Sequence, residues 1–366
     1  MPKRTQFRFV IFALAALSLL TALWAGMVRL GWDLPALGEG LPPSHGPLMV
    51  VGFLGTLIGL ERAAALGRVW PYGAPLLSGL AALSALAGLP AQASAGLAIA
   101  ASIFLIGVFV SLHRQSPSTP FVIMGLSGAA WLGGNCLWLV GFPLYSATLW
   151  WACFLVLMIA GERLELSRIV RPPRQIRLLF YGSVALVWIG LGLSLLEFRA
   201  GVGVTGTGLM ALAFWLVRYD MVWRTIHQPG LPRFMATCLL SGYLWLALGG
   251  FFWLLFAQFF AAGPRYDAML HSIFLGFVFS MIFAHAPIIL PSITGLALPF
   301  ANHFYLHWAL LHLSLALRIV GDIMLCIPGQ KWGGLLNAAA VLLFLINNVC
   351  AVKTGLRETK NLAKDI

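Results

Sequence analysis

Two histidines stand at the mouths of long apolar runs. His45 precedes Gly46-Pro47-Leu48-Met49, and His271 precedes Ser272-Ile273-Phe274-Leu275. Each run continues for about 20 residues with scarcely a charge, the length that crosses a hydrocarbon core as a helix. An imidazole in that position is costly unless a ligand, a partner or water engages it. Imidazole nitrogen suits iron, copper and zinc, and two rings at one depth suit the two axial positions of a haem iron. The competing reading places both rings in wet headgroups, capping helix ends. Gly46, Gly52, Gly55 and Gly276 leave small surfaces beside which a flat macrocycle or another helix can pack.

Other ionisable residues in the apolar runs are functional candidates for the same reason. His285 follows His271 by fourteen positions, which at 100° per residue returns it to within about 40° of the same face, about 21 Å further along. A second site, or a route between two depths, fits that placement; so does a helix end at Pro287. His303 and His307 share a face at i, i+4, and Ser314, Arg318 and Asp322 continue a polar stripe along the same helix. Arg318 and Asp322 are themselves i, i+4 and expected to pair, with contact to haem propionates as the alternative for Arg318. Glu61 and Glu162 each adjoin an arginine. With Glu165 and His285 they form a possible inner relay or cation site, although Glu61 lies about 160° around from His45 on a regular wheel, and plain Glu–Arg pairing accounts for them equally. His312 lies off the polar stripe, and His113 and His227 adjoin basic loops.

The elements that must carry these residues follow from composition. The chain of 366 residues is 60% hydrophobic and 9% charged, with a mean hydropathy of +0.92. Those values describe an all-α polytopic membrane protein and exclude a soluble domain. About twelve spans are expected, near 7–30, 45–66, 71–88, 92–113, 119–142, 146–167, 176–196, 200–226, 233–262, 266–289, 303–326 and 332–354. With the N-terminus in the cytoplasm, eighteen Lys and Arg fall inside and four outside. That bias places both termini in the cytoplasm of a bacterial inner membrane. The net charge of +12 is thus a topology signal and a contact with anionic lipid, not a nucleic-acid footprint. The five cysteines stand singly in apolar stretches and read as small buried side chains.

The chain reads as one membrane domain, 1–366, within which three blocks of four helices fit, 7–113, 119–226 and 233–354. The second helices of the first two blocks end alike, in Gly59-Leu60-Glu61-Arg62 and Gly161-Glu162-Arg163, where the third has Ala284-His285-Ala286-Pro287. The histidines then fall on helices two and ten.

Twelve helices in three fours, with histidines on the second and tenth, resemble subunit I of the haem-copper oxidases. The stretch from His45 through Gly52-Phe53-Leu54, and that from His271 through Gly276, Met281 and Thr294-Gly295, are similar to the NnrS-like branch of membrane haem proteins. The resemblance implies a haem b held by His45 and His271, a role in electron transfer or nitric-oxide response, and a redox partner or second copy of the chain. It stops at the copper site, because residues 146–196 contain no histidine where the oxidases place copper ligands on helices six and seven. A second metal such as copper is left only the region of His285, His303 and His307. The alternatives are a proton-coupled secondary transporter using Glu61, Glu162 or Asp322, and a non-catalytic sensor or assembly factor.

Overall fold

A backbone in hydrocarbon must satisfy its own amides and carbonyls, so apolar runs of this length become helices. In the computed structural model, which describes residues 3–35, 41–167 and 173–362, the chain is helical throughout and no strand occurs among those residues. Glu39 and residues 168–172 of the basic central loop lie outside them. The helices are α1 (Lys3–Arg29), α2 (45–66), α3 (Gly73–Leu86), α4 (Ala91–Gln115), α5 (Thr119–Leu139) and α6 (Leu144–Leu166). There follow α7 (Arg174–Leu193), α8 (Phe198–Tyr219), α9 (Leu231–Leu255), α10 (Pro264–Thr294), α11 (Phe304–Ile323) and α12 (Ile327–Leu362). Eleven of these, among the described residues, are long and apolar enough to cross a membrane. The exception is α3, whose 14 residues extend about 21 Å.

The chain divides into two compact units, Met1–Glu162 and Arg163–Ile366, with the boundary in the last turn of α6. That boundary cuts the second of the three expected four-helix blocks. In the first unit α1 packs along α2 and α3, and α3, α4 and α5 follow one another side by side. In the second unit α7, α8 and α9 form a consecutive series, α9 packs on α10, and α11 pairs closely with α12.

The two histidine-bearing helices depart from regular geometry in the same way. Residues Leu48–Gly55 of α2 and Ser272–Phe279 of α10 are π-helical, eight residues each. Both stretches carry Gly-Phe at their fifth and sixth positions, Gly52-Phe53 and Gly276-Phe277, and both are followed by a fully buried hydroxyl, Thr56 or Ser280. A π turn rotates less per residue than an α turn because its bond spans five residues. The wheel angles relating His45 to Glu61 and His271 to His285 therefore do not hold across these stretches. Nor does α10 end at Pro287: it continues through Pro287 and Pro291 to Thr294, where Gly295 closes it in the left-handed conformation. His285 is consequently a half-buried mid-helix residue, not one at a helix end.

Candidate functional site

The histidines are sorted by what holds each ring. His45 opens α2, and its Nδ1 lies 2.7 Å from the Ala22 carbonyl of α1. A carbonyl only accepts, so Nδ1 carries a proton. The ring lies against Gly26, one turn further along α1, where a Cβ would come within 3.1 Å of Cε1. His271 has the same tautomer, its Nδ1 lying 3.0 Å from the Asp267 carbonyl one turn earlier in α10. His285 repeats the arrangement, with Nδ1 2.8 Å from the Met281 carbonyl.

Two other histidines are held the opposite way. Asn347 of α12 donates to His307 Nδ1 at 2.9 Å, which places the proton on Nε2. That N–H is buried without a partner, in a box of Phe234, Phe283, Phe304 and Phe344 around a fully buried ring. Trp245 of α9 donates to His312 Nδ1 at 2.9 Å, with the same consequence and a second unpartnered Nε2. His303 is exposed at the start of α11. His303 and His307 thus share a helix end but not an environment, and as arranged His307 presents a donor instead of a ligand nitrogen. Among the described residues, no group of three or more His, Cys, Asp or Glu side chains converges as a metal site.

Around His271 the structure assembles a charged cluster that the polar stripe of α11 foreshadowed only in part. Arg318 does not take Asp322 as its ion-pair partner. Its Nε and a terminal nitrogen donate to the two oxygens of Asp267, at 2.7 and 2.8 Å. The same carboxylate approaches His271 Nδ1 at 3.2 Å. A planar guanidinium fork matches a carboxylate better when it can approach edge-on from another helix than when both sit one turn apart. Close packing makes this possible, because a Cβ on Gly333 of α12 would lie 2.6 Å from Arg318 Cα. Asp322, 2% exposed, has a buried Oδ2 with no partner. Asp267 was missed in the sequence although it carried a signal: it stands i, i+4 to His271 in the first turn of a span.

At the other set of candidates, Arg62 binds Glu61 at 3.1 Å and also Glu162 by a short contact, so in the first unit the two glutamates share one arginine. Arg163 turns instead to Asp220, to which it donates twice at 2.7 Å. Three of the four glycines expected to leave room for a macrocycle or another helix are filled by neighbouring helices: Trp131 and Ser78 fill the notch at Gly55, Ser18 and Ala82 that at Gly52, and Trp245 that at Gly276, while Gly46 has only Leu144 at 3.9 Å.

Comparison with known proteins yields one family match, to a family described as a domain of unknown function (DUF8744), over residues 8–353. No curated protein and no solved structure matches the chain.

Proposed function

We propose that this chain, which belongs to the DUF8744 family, is a haem b-binding protein of the bacterial inner membrane that serves electron transfer or a nitrogen-oxide response. His45 and His271 are its axial ligands in this reading. The observation that carries it is the shared tautomer. Each ring gives its Nδ1 proton to a backbone carbonyl and so offers Nε2, the arrangement that orients histidine ligands in metal sites. Both rings also sit beside π-helical stretches, which are rare and concentrate at functional sites. Haem held by two histidines supplies one-electron transfer, and ligand activation only when one histidine yields. The protein's part is to fix the rings: the Ala22 carbonyl and the Gly26 notch for His45, the Asp267 carbonyl for His271.

The test is an absorption spectrum of the detergent-purified protein from haem-sufficient cells. A Soret band is expected, lost or strongly diminished in His45→Ala and in His271→Ala. A colourless protein that gains no band on adding haem overturns the reading. A full band in both variants overturns the ligand assignment.

The buried, unpartnered oxygen of Asp322 supports a second reading, proton-coupled transport. It predicts substrate-driven proton flux in proteoliposomes that Asp322→Asn abolishes and that the double variant His45→Ala, His271→Ala leaves intact.

A further inference from the structure

Within the second unit, two carboxylates, Asp267 and Asp322, lie within electrostatic reach of one guanidinium, that of Arg318. Asp267 takes it whole, accepting at both oxygens from 2.7 and 2.8 Å. It stands in the first turn of α10, where the unpaired amides of a helix N-terminus favour a negative charge, and its side chain is 28% exposed. Asp322 has none of these supports. It is the penultimate residue of α11, at the end where helix carbonyls disfavour an anion. Its residue is buried, and Oδ2 has no donor. The start of α12 closes over this end, since a Cβ on Gly321 would lie 2.6 Å from the Gln330 amide nitrogen. Of the other ionisable groups here, His271 directs Nδ1 to Asp267 at 3.2 Å, and Arg265 lies over the Phe259 ring at 4.3 Å. Tyr266 stands edge-on to Phe260, Cys326 is exposed, and Lys331 lies in the first turns of α12.

We propose that this pair is a proton-binding site in which Asp322 carries the proton and Asp267 stays ionised on Arg318. An ionised carboxylate buried without a cation or donors is costly, and such a group takes up a proton instead. A divalent cation is a poor substitute, because it needs several oxygens at once and both Asp267 oxygens are committed to Arg318. Charge balance fixes the number of protons: two carboxylates and one arginine cancel when one carboxyl is neutral. Arg318 and Asp322 are i, i+4 on α11, so the guanidinium has a second carboxylate to turn to whenever Asp267 is neutralised. The inference deepens the proton-coupled reading, on whose choice of Asp322 it rests, and involves no haem.

The experiment is infrared spectroscopy of the purified full-length protein at neutral pH, in a carbonyl-free detergent, in water and in heavy water. The wild type is expected to show the carbonyl band of a protonated carboxyl, displaced in heavy water. Asp322→Asn is expected to abolish that band. Asp267→Asn is expected to abolish it too, because Arg318 then pairs with Asp322 and the charges cancel without a proton. Arg318→Gln is expected to retain it. No such band in the wild type, or an unchanged band in Asp322→Asn, overturns the proposal. A band that survives in Asp267→Asn means that burial alone holds the proton, and overturns the shared arginine. The band without proton flux in proteoliposomes overturns transport and leaves the site standing; flux without the band does the reverse. Should Asp322→Asn fail to fold, the opposite responses of Asp267→Asn and Arg318→Gln decide the matter.

Discussion

At the scale of single residues, chemistry and mere stability are separated by how completely each buried charge is satisfied. Asp220 is the clearest stability case. Arg163 donates to both its oxygens, Tyr243 donates its hydroxyl at 3.1 Å, and the Val222 amide donates at 2.8 Å. Both charged side chains are almost fully buried, at 4% and 1% exposure, so solvent screening offers little relief if one is removed. Breaking such a pair leaves an uncompensated buried charge and costs about 3–5 kcal/mol. Asp220→Ala is expected to lower unfolding stability in detergent by that amount, read from denaturant or thermal unfolding. The Asp267 cluster contrasts with it, since Asp322 retains a buried oxygen with no donor. The histidine tautomers were illegible in the sequence for a physical reason: the acceptors that set them are backbone carbonyls at Ala22, Asp267 and Met281, and every residue has one. The Arg318–Asp267 pair was hidden differently. The i, i+4 rule pointed to Asp322, and only the packing of α10 against α11 brings a better-oriented carboxylate to the guanidinium.

At the scale of elements, hydropathy located the spans but not their internal geometry. Leu48–Gly55 and Ser272–Phe279 are uniformly apolar, and side-chain pattern does not distinguish a π stretch from an α stretch there. What the sequence does record is the Gly-Phe step in each, because a glycine is needed where another helix comes close. Gly55 shows the competing magnitudes. Glycine to alanine in an open helix interior gains about 1 kcal/mol of propensity. At Gly55 a Cβ would lie 2.6 Å from Trp131 Cζ2, and that indole is fully buried and stacked on Phe154 at 4.9 Å. Overpacking costs about 1–3 kcal/mol where the neighbour cannot give. Gly55→Ala is therefore expected to be destabilising, whereas Gly96→Ala in α4, with nothing within 4 Å of the new Cβ, is expected to be neutral or stabilising by up to about 1 kcal/mol. Unfolding midpoints of the two variants, measured in one detergent, check the contrast; equal effects at the two positions would remove the case for a tight notch beside the π stretch.

At the scale of the whole molecule, topology turns on α3. Its 14 residues extend about 21 Å, short of the roughly 30 Å hydrocarbon thickness. The helical turn Trp70–Tyr72 leads directly into it, and together 70–86 reach about 26 Å. A bilayer thins or flanking residues snorkel to accept a mismatch of that size at modest cost. The charge pattern decides the parity. If α3 crosses, Arg62, Arg68, Arg114, Arg163, Arg174, Arg177, Arg218, Arg224 and Arg233 all fall on one side, in connections flanking the spans. If α3 does not cross, every connection after it reverses, and Arg114 through Arg233 move to the opposite side from Arg62 and Arg68. Retaining positive charge on the cytoplasmic side is a strong orienting force for short connections such as these. A crossing α3 is therefore expected, with the N-terminus and the end of α12 both in the cytoplasm. Fluorescent-protein fusions at the two ends should both fluoresce, and alkaline phosphatase fusions at both should be inactive. Fluorescence at one end with phosphatase activity at the other would mean that α3 turns back within the membrane and that only the eleven longer helices cross.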